Sequence, residues 1–189
     1  MILVIDCCIR GEESATRKYY QEYLKLAGGD YTVLELATLP LLPIDKTALA
    51  LRDAFCSQQR YDDEMFALAK QFRAADEILV AAPFWDLSFP SLLKVYFEHI
   101  MVNGLTFGYD KDGRCCGYCK AKRLLYFSTC GGYVGEQHLG FAYIKALAAM
   151  LGIEESVPYI LEGMDIDLSK RDMLLKQAID SLANIKIGE

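Results

Sequence analysis

The sequence predicts a doubly wound α/β domain, a parallel sheet of five strands with helices on both faces, and three observations carry that expectation. Segments of strand character alternate with segments of helical spacing five times along the chain, the pattern of successive right-handed βαβ units. The strand segments are nearly continuous apolar runs, as strands buried on both faces of a parallel sheet require. The 189 residues are 53% apolar and 24% charged, which suffices for one core and excludes disorder. No repeat, low-complexity tract or linker divides the chain, so residues 1–189 read as a single domain.

Each element follows from local chemistry. Met1 to Cys7 is apolar and β-branched, a first strand. Ser14 is placed to cap a helix whose Tyr19, Tyr20, Tyr23, Leu24 and Ala27 share one face, and Gly28-Gly29 ends it. Tyr31 to Leu36 is a second strand, followed by a loop because Pro40 and Pro43 suit neither helix nor central strand. Thr47 to Ser57 and Asp62 to Ala74 show helical spacing, the second with Asp62 as its cap. Ile78 to Ala82 is a third strand stopped by Pro83. Ser91 to Val102 is a helix with apolar residues on more than one face, wider than packing on its own sheet needs, which points to a subunit interface. Tyr109 to Gly113 is turn chemistry, and Arg123 to Thr129 a fourth strand ending at Gly131-Gly132. A helix follows over Glu136 to Met150, then a fifth strand over Ser156 to Leu161. Last comes a helix capped by Ser169, with Leu174, Leu175, Ala178, Leu182 and Ile185 inward.

Charge and cysteine usage narrow the function. Lys and Arg number 20 against 26 Asp and Glu, a net charge of -6, the wrong sign for a protein that binds nucleic acid through its phosphates. No run of about 18 apolar residues supports membrane insertion. Met1 opens on a strand-length apolar run rather than a signal-type segment, and seven cysteines fall well below the roughly 8–10% of a disulfide scaffold. A cytoplasmic protein with reduced thiols is expected. Cys116 and Cys119, with Cys115 beside them, have the C-x-x-C spacing of a redox pair or half a zinc site. No second pair completes four ligands, so the cluster reads as a surface turn with incidental thiols and no metal is expected. His99, inside an apolar helix, reads as a packed or interface residue.

In a doubly wound fold, ligands bind beyond the carboxyl ends of the strands, which directs attention to the loops after Cys7, Ala82, Thr129 and Leu161. The first leads through Cys8 and Arg10 to Ser14, Ala15 and Thr16 at a helix N-terminus, where unpaired N–H groups hold anions. A dinucleotide-type glycine fingerprint is absent. The second, Pro83-Phe84-Trp85-Asp86-Leu87-Ser88-Phe89-Pro90, gathers three aromatics where a planar ligand would be clamped. The third, Thr129-Cys130-Gly131-Gly132-Tyr133, permits close backbone approach to a ligand.

These three loops together resemble the flavodoxin-like NAD(P)H:quinone reductase and FMN-dependent NADH-azoreductase family, over nearly the whole chain. The most specific stretches are Ala81-Ala82-Pro83-Phe84-Trp85-Asp86, then Leu93-Lys94-Val95-Tyr96-Phe97 and Gly104-Leu105-Thr106-Phe107, with Thr129-Cys130-Gly131-Gly132, Leu151-Gly152-Ile153 and Glu162-Gly163-Met164-Asp165 in the family's order. The resemblance implies a flavodoxin-like sheet of order 2-1-3-4-5 and an FMN site. That site draws on Cys8, Ser14, Ala15 and Thr16 at the phosphate, and on Pro83, Phe84, Trp85, Asp86, Leu87, Thr129, Cys130, Gly131 and Gly132 around the ring. It also implies NADH or NADPH as donor, a quinone, azo compound or similar small molecule as acceptor, hydride transfer through flavin N5 with ping-pong kinetics, and a homodimer. His138 stands after the glycine loop, where related quinone reductases place groups that polarise the acceptor, and is a candidate proton donor. The chain departs from the family pattern at Cys8, where Ser is usual, at Asp86, where Asn is usual, and at Glu12-Glu13 beside the phosphate. Two other readings fit the same residues: an electron carrier without NAD(P)H turnover, and a flavin-free thiol-based regulator.

Overall fold

The computed structural model of the protein describes residues 1–182. Apolar runs pair in register as a five-stranded parallel sheet of order β2-β1-β3-β6-β7, formed by β1 (Ile2–Asp6), β2 (Tyr31–Glu35), β3 (Glu77–Ala81), β6 (Arg123–Thr129) and β7 (Glu155–Leu161). This is the flavodoxin-like order expected of the chain, with β6 and β7 in the fourth and fifth places. Successive strand residues face opposite sides and build two cores. Leu3, Ile5, Ile78, Val80, Leu124 and Tyr126 face α3 (Ala67–Ala74), α4 (Ser91–Ile100) and α5 (Leu139–Met150). Val4, Leu79, Ala81, Leu125 and Phe127 face α1 (Ala15–Ala27) and α6 (Arg171–Leu182). Phe127 stacks on Tyr159 with ring centroids 4.5 Å apart, and Tyr19 meets it edge-on. The helix α2 (Lys46–Ser57) buries no residue fully. No helix among the described residues is long and apolar enough to cross a membrane.

Four local expectations are corrected. The predicted helix over 62–74 is a 3₁₀ turn, Glu64–Phe66, that runs into α3. Its cap is Asp63, whose Oδ1 accepts the Met65 N–H at 3.0 Å. Phe66, at φ -97°, leaves the α-helical path to bury its ring against Phe55 and Tyr61. The predicted helix over 136–150 begins only at Leu139, because His138 caps it: Nδ1 accepts the Phe141 N–H at 3.2 Å. Ser169 lies inside a 3₁₀ turn, Leu168–Lys170, and is itself bound by Asp167, so α6 starts at Arg171. Ile185 lies outside the described residues.

The fourth correction is the cysteine cluster. Residues Phe107–Tyr109 (β4) and Cys115–Gly117 (β5) form an antiparallel hairpin, too short for periodicity to reveal. The turn between them is fixed by Asp110, which accepts the N–H groups of Asp112 and Arg114 at 2.9 Å each. Cys115 and Cys116 therefore sit in a strand, while Cys119 is buried. Gly117 seats the hairpin against the C-terminal end of α5, since a Cβ there would overlap the backbone of Leu151 and Gly152. His99 ties the 39–43 loop to α4, with Nε2 2.8 Å from the Leu42 carbonyl oxygen.

Candidate functional site

A cleft opens at the carboxyl ends of β1, β3, β6 and β7. Its walls are Ile9, Arg10, Glu13, Ser14 and Ala15 after β1, Pro83, Phe84 and Trp85 after β3, and Thr129, Cys130 and Gly131 after β6. Met164 and Asp165 follow β7, and Arg171 begins α6. Its non-atom space, open solvent at the mouth included, is about 580 Å³.

The wall after β1 is built on a buried ion network. Asp6 accepts the Cys8 N–H at 2.7 Å and the Tyr20 hydroxyl at 2.8 Å, and pairs with Arg17 at 2.7 Å. The same guanidinium reaches Glu12 and Glu35, each at 3.0 Å. Burial opposes the Arg17 charge, but the bonds to Glu12 and Glu35 and the charge of Asp6 outweigh it, so its pKa rises above the usual arginine range. Ser14 caps α1 by accepting the Arg17 N–H at 3.3 Å. The hydroxyls of Thr16 and Thr129, 2.7 Å apart, pin the first turn of α1 to the end of β6.

The wall after β3 continues the sheet. Ala82 and Phe84 donate to Phe127 and Thr129 at 3.0 Å each. The chain then reverses in a two-residue turn, with Trp85 and Ser88 exchanging backbone bonds of 3.2 and 2.7 Å. Asp86 and Leu87 stand between them at φ 48° and 66°, a left-handed conformation that non-glycine residues adopt at a cost. Leu139 N–H donates to the Leu87 carbonyl at 3.0 Å, fastening the turn to the start of α5. Trp85 stays 42% exposed at the mouth.

The wall after β6 is held by the segment after β7. Gly163, Met164 and Asp165 donate to Gly132, Cys130 and Gly131. The Glu162 Oε1 atom accepts the N–H groups of Val134 and Gly135 at 3.0 and 2.9 Å. At Gly131 a Cβ would lie 2.5 Å from Asp165 Oδ2, so a side chain there would displace the Asp165 carboxylate.

The chain matches the family model described as "Flavodoxin-like fold" over residues 1–185. An FMN-dependent NADH:quinone oxidoreductase of Pseudomonas savastanoi pv. phaseolicola is 34% identical over 169 residues, 82% of either chain. The chain belongs to this family. The match to FMN-dependent NADH:quinone oxidoreductase 2 of Clostridium acetobutylicum, 32% identical over 124 residues, spans 63% of this chain and only 62% of that relative. Among solved structures, an FMN-dependent NADH-azoreductase from Bacillus anthracis in complex with FMN aligns with a TM-score of 0.78 and 21% identity, covering 97% of each chain.

Against this flavodoxin-like frame, the residues singled out by the resemblance separate into two groups. Ser14, Ala15, Pro83, Phe84, Trp85, Thr129, Cys130 and Gly131 line the cleft. Cys8, Thr16, Asp86, Leu87 and Gly132 do not. Cys8 and Thr16 are buried beneath it, while Asp86 and Leu87 are exposed at the turn tip. Glu12 turns to Arg17, whereas Glu13 faces the cleft. Burial, together with the Glu162 charge, pushes the Cys130 thiol up to about 12, and burial pushes Cys7 and Cys119 to about 12. These thiols are protonated at neutral pH and are not nucleophiles. His138 stands behind Phe84, ring centroids 4.8 Å apart, rather than in the cleft. Burial lowers its pKa and holds it neutral. Ile9, Arg10 and Arg171 complete the walls without any motif to announce them, together with Met164 and Asp165 from the Glu162-Gly163-Met164-Asp165 stretch.

Proposed function

We propose that the chain binds FMN in this cleft and carries reducing equivalents from NADH or NADPH to a quinone, azo compound or similar small acceptor. The observation that carries this reading is that two kinds of wall line one cleft. Ser14 and Ala15 open α1, where free backbone N–H groups suit an anion. Phe84 and Trp85 supply aromatic surface suited to a flat ring, and Gly131 lines the same cleft without a side chain. The relatives named for FMN and NADH support the assignment.

The chemistry FMN supplies when bound is two-electron hydride transfer at N5. The chain's own residues bind and hold. The Asp6–Arg17–Glu12 network and the Thr16–Thr129 bond keep the first loop in place, and Glu162 does the same for the glycine loop. Trp85, exposed at the mouth, offers apolar surface to donor and acceptor in turn, and one shared site used twice corresponds to ping-pong kinetics. His138 lies behind Phe84 and outside the cleft lining, so in this reading another group supplies the acceptor's proton. Half-buried Leu92 and Val95 broaden the apolar surface of α4, which supports a homodimer, and the protonated buried thiols suit a reducing, cytoplasmic setting.

The test is a visible spectrum under anaerobic conditions, after incubation with FMN and desalting. A retained flavin spectrum that bleaches on adding NADH or NADPH and recovers on adding a quinone is expected. Retained colour without bleaching reduces the reading to electron carriage, and a colourless protein overturns it.

A further inference from the structure

The cleft is charged in a way the flavin reading leaves unused. Four charged side chains line it, Arg10, Glu13, Asp165 and Arg171, so its walls carry two charges of each sign. Arg17, a few residues away, is consumed by Asp6, Glu12 and Glu35. Arg10 is exposed and makes no ion pair among the described residues. Arg171 approaches only Asp165, at 3.8 Å, too far for a hydrogen bond, so its donors remain available. The two guanidiniums come from different elements, the loop after β1 and the first residue of α6, and they line the same cleft as Ser14 and Ala15.

A phosphate monoester placed at the start of α1 brings close to two negative charges to a wall that already carries Glu13 and Asp165. Without Arg10 and Arg171 that wall is acidic and repels it. With them the wall is neutral and offers two forked donor sets suited to phosphate oxygens. Resting on the FMN assignment, we propose that Arg10 and Arg171 form a clamp on the terminal phosphate and set the preference for the phosphorylated flavin over riboflavin, which lacks that group. Because Arg171 opens α6, the clamp also joins the first loop to the C-terminal helix through the ligand.

The experiment compares FMN and riboflavin by quenching of flavin fluorescence, for the wild-type protein and for R10Q, R171Q and K18Q. Lys18 is an exposed residue of α1 that lines a neighbouring groove with Arg171 but not the cleft. It controls for general loss of positive charge. Losing one charge-assisted pair lowers the FMN-over-riboflavin preference about tenfold in R10Q and in R171Q, with riboflavin affinity and the K18Q preference unchanged. Added salt erodes the wild-type preference and leaves riboflavin binding as it was. Equal wild-type affinity for the two flavins overturns the clamp alone. So does a fall in both affinities together, or an equal fall in K18Q. A wild-type protein that binds neither flavin overturns the FMN assignment and the clamp with it.

Discussion

Arg17 and His138 show how single residues behind the cleft set its stability. The Arg17 side chain is 7% exposed and that of Asp6 is fully buried, so removing the guanidinium strands a carboxylate in the core. Arg17→Met is expected to destabilise the fold by about 3 kcal/mol, the cost of breaking a buried pair. The exposed partner Glu12, replaced by Gln, is expected to cost less than about 1 kcal/mol. Urea unfolding of both variants reads the contrast, and equal losses contradict it. His138 acts through pH. Its folded pKa lies below the ordinary 6.5 because burial disfavours the imidazolium, against the opposing charge of Glu162 and beside the neutral rings of Phe84 and Tyr126. As pH falls through 6.5 the unfolded chain takes up a proton that the folded chain refuses. Stability present above that pH is therefore lost toward the lower folded value. The urea midpoint of the wild-type protein is expected to fall more between pH 7.5 and 5.5 than that of His138→Gln; parallel falls refute the assignment.

At the scale of elements, the turn after β3 carries the most local strain. Asp86 and Leu87 hold positive φ where Asn and Gly are preferred, and both side chains are exposed. Replacing the pair by Asn-Gly is expected to stabilise the protein by about 1 kcal/mol, visible as a rise in Tm, while an unchanged or lower Tm shows that the turn is relaxed. Nothing in the residues Trp85-Asp86-Leu87-Ser88 announces a left-handed turn, which exists because its ends exchange backbone bonds and Leu139 fastens it. The strands, by contrast, were legible almost to the residue: Arg123 to Thr129 is β6 as expected, because an apolar run between turn residues has few other solutions. Errors gathered at helix starts, at Asp63, His138 and Ser169, where competing caps lie within a residue or two of one another. The β4–β5 hairpin escaped notice because three residues per strand are fewer than any period needs.

For the whole molecule, the cleft belongs to four loops and to no one of them, so occupancy is expected to stabilise the entire fold. At an FMN concentration about a hundredfold above Kd, linkage predicts about 2.7 kcal/mol. A rise in Tm that grows with the logarithm of FMN concentration checks this, and a Tm indifferent to FMN contradicts the site. The alternation of sheet strands and helices and the loops that matter were readable along the chain, because periodicity, caps and glycine placement act over a few neighbours. The presence of Arg10 and Arg171 in one cleft, the diversion of Glu12 to Arg17 and the withdrawal of His138 behind Phe84 were not. Each depends on distances between segments far apart in sequence, and those are set only when the crossovers place β1, β3, β6 and β7 side by side.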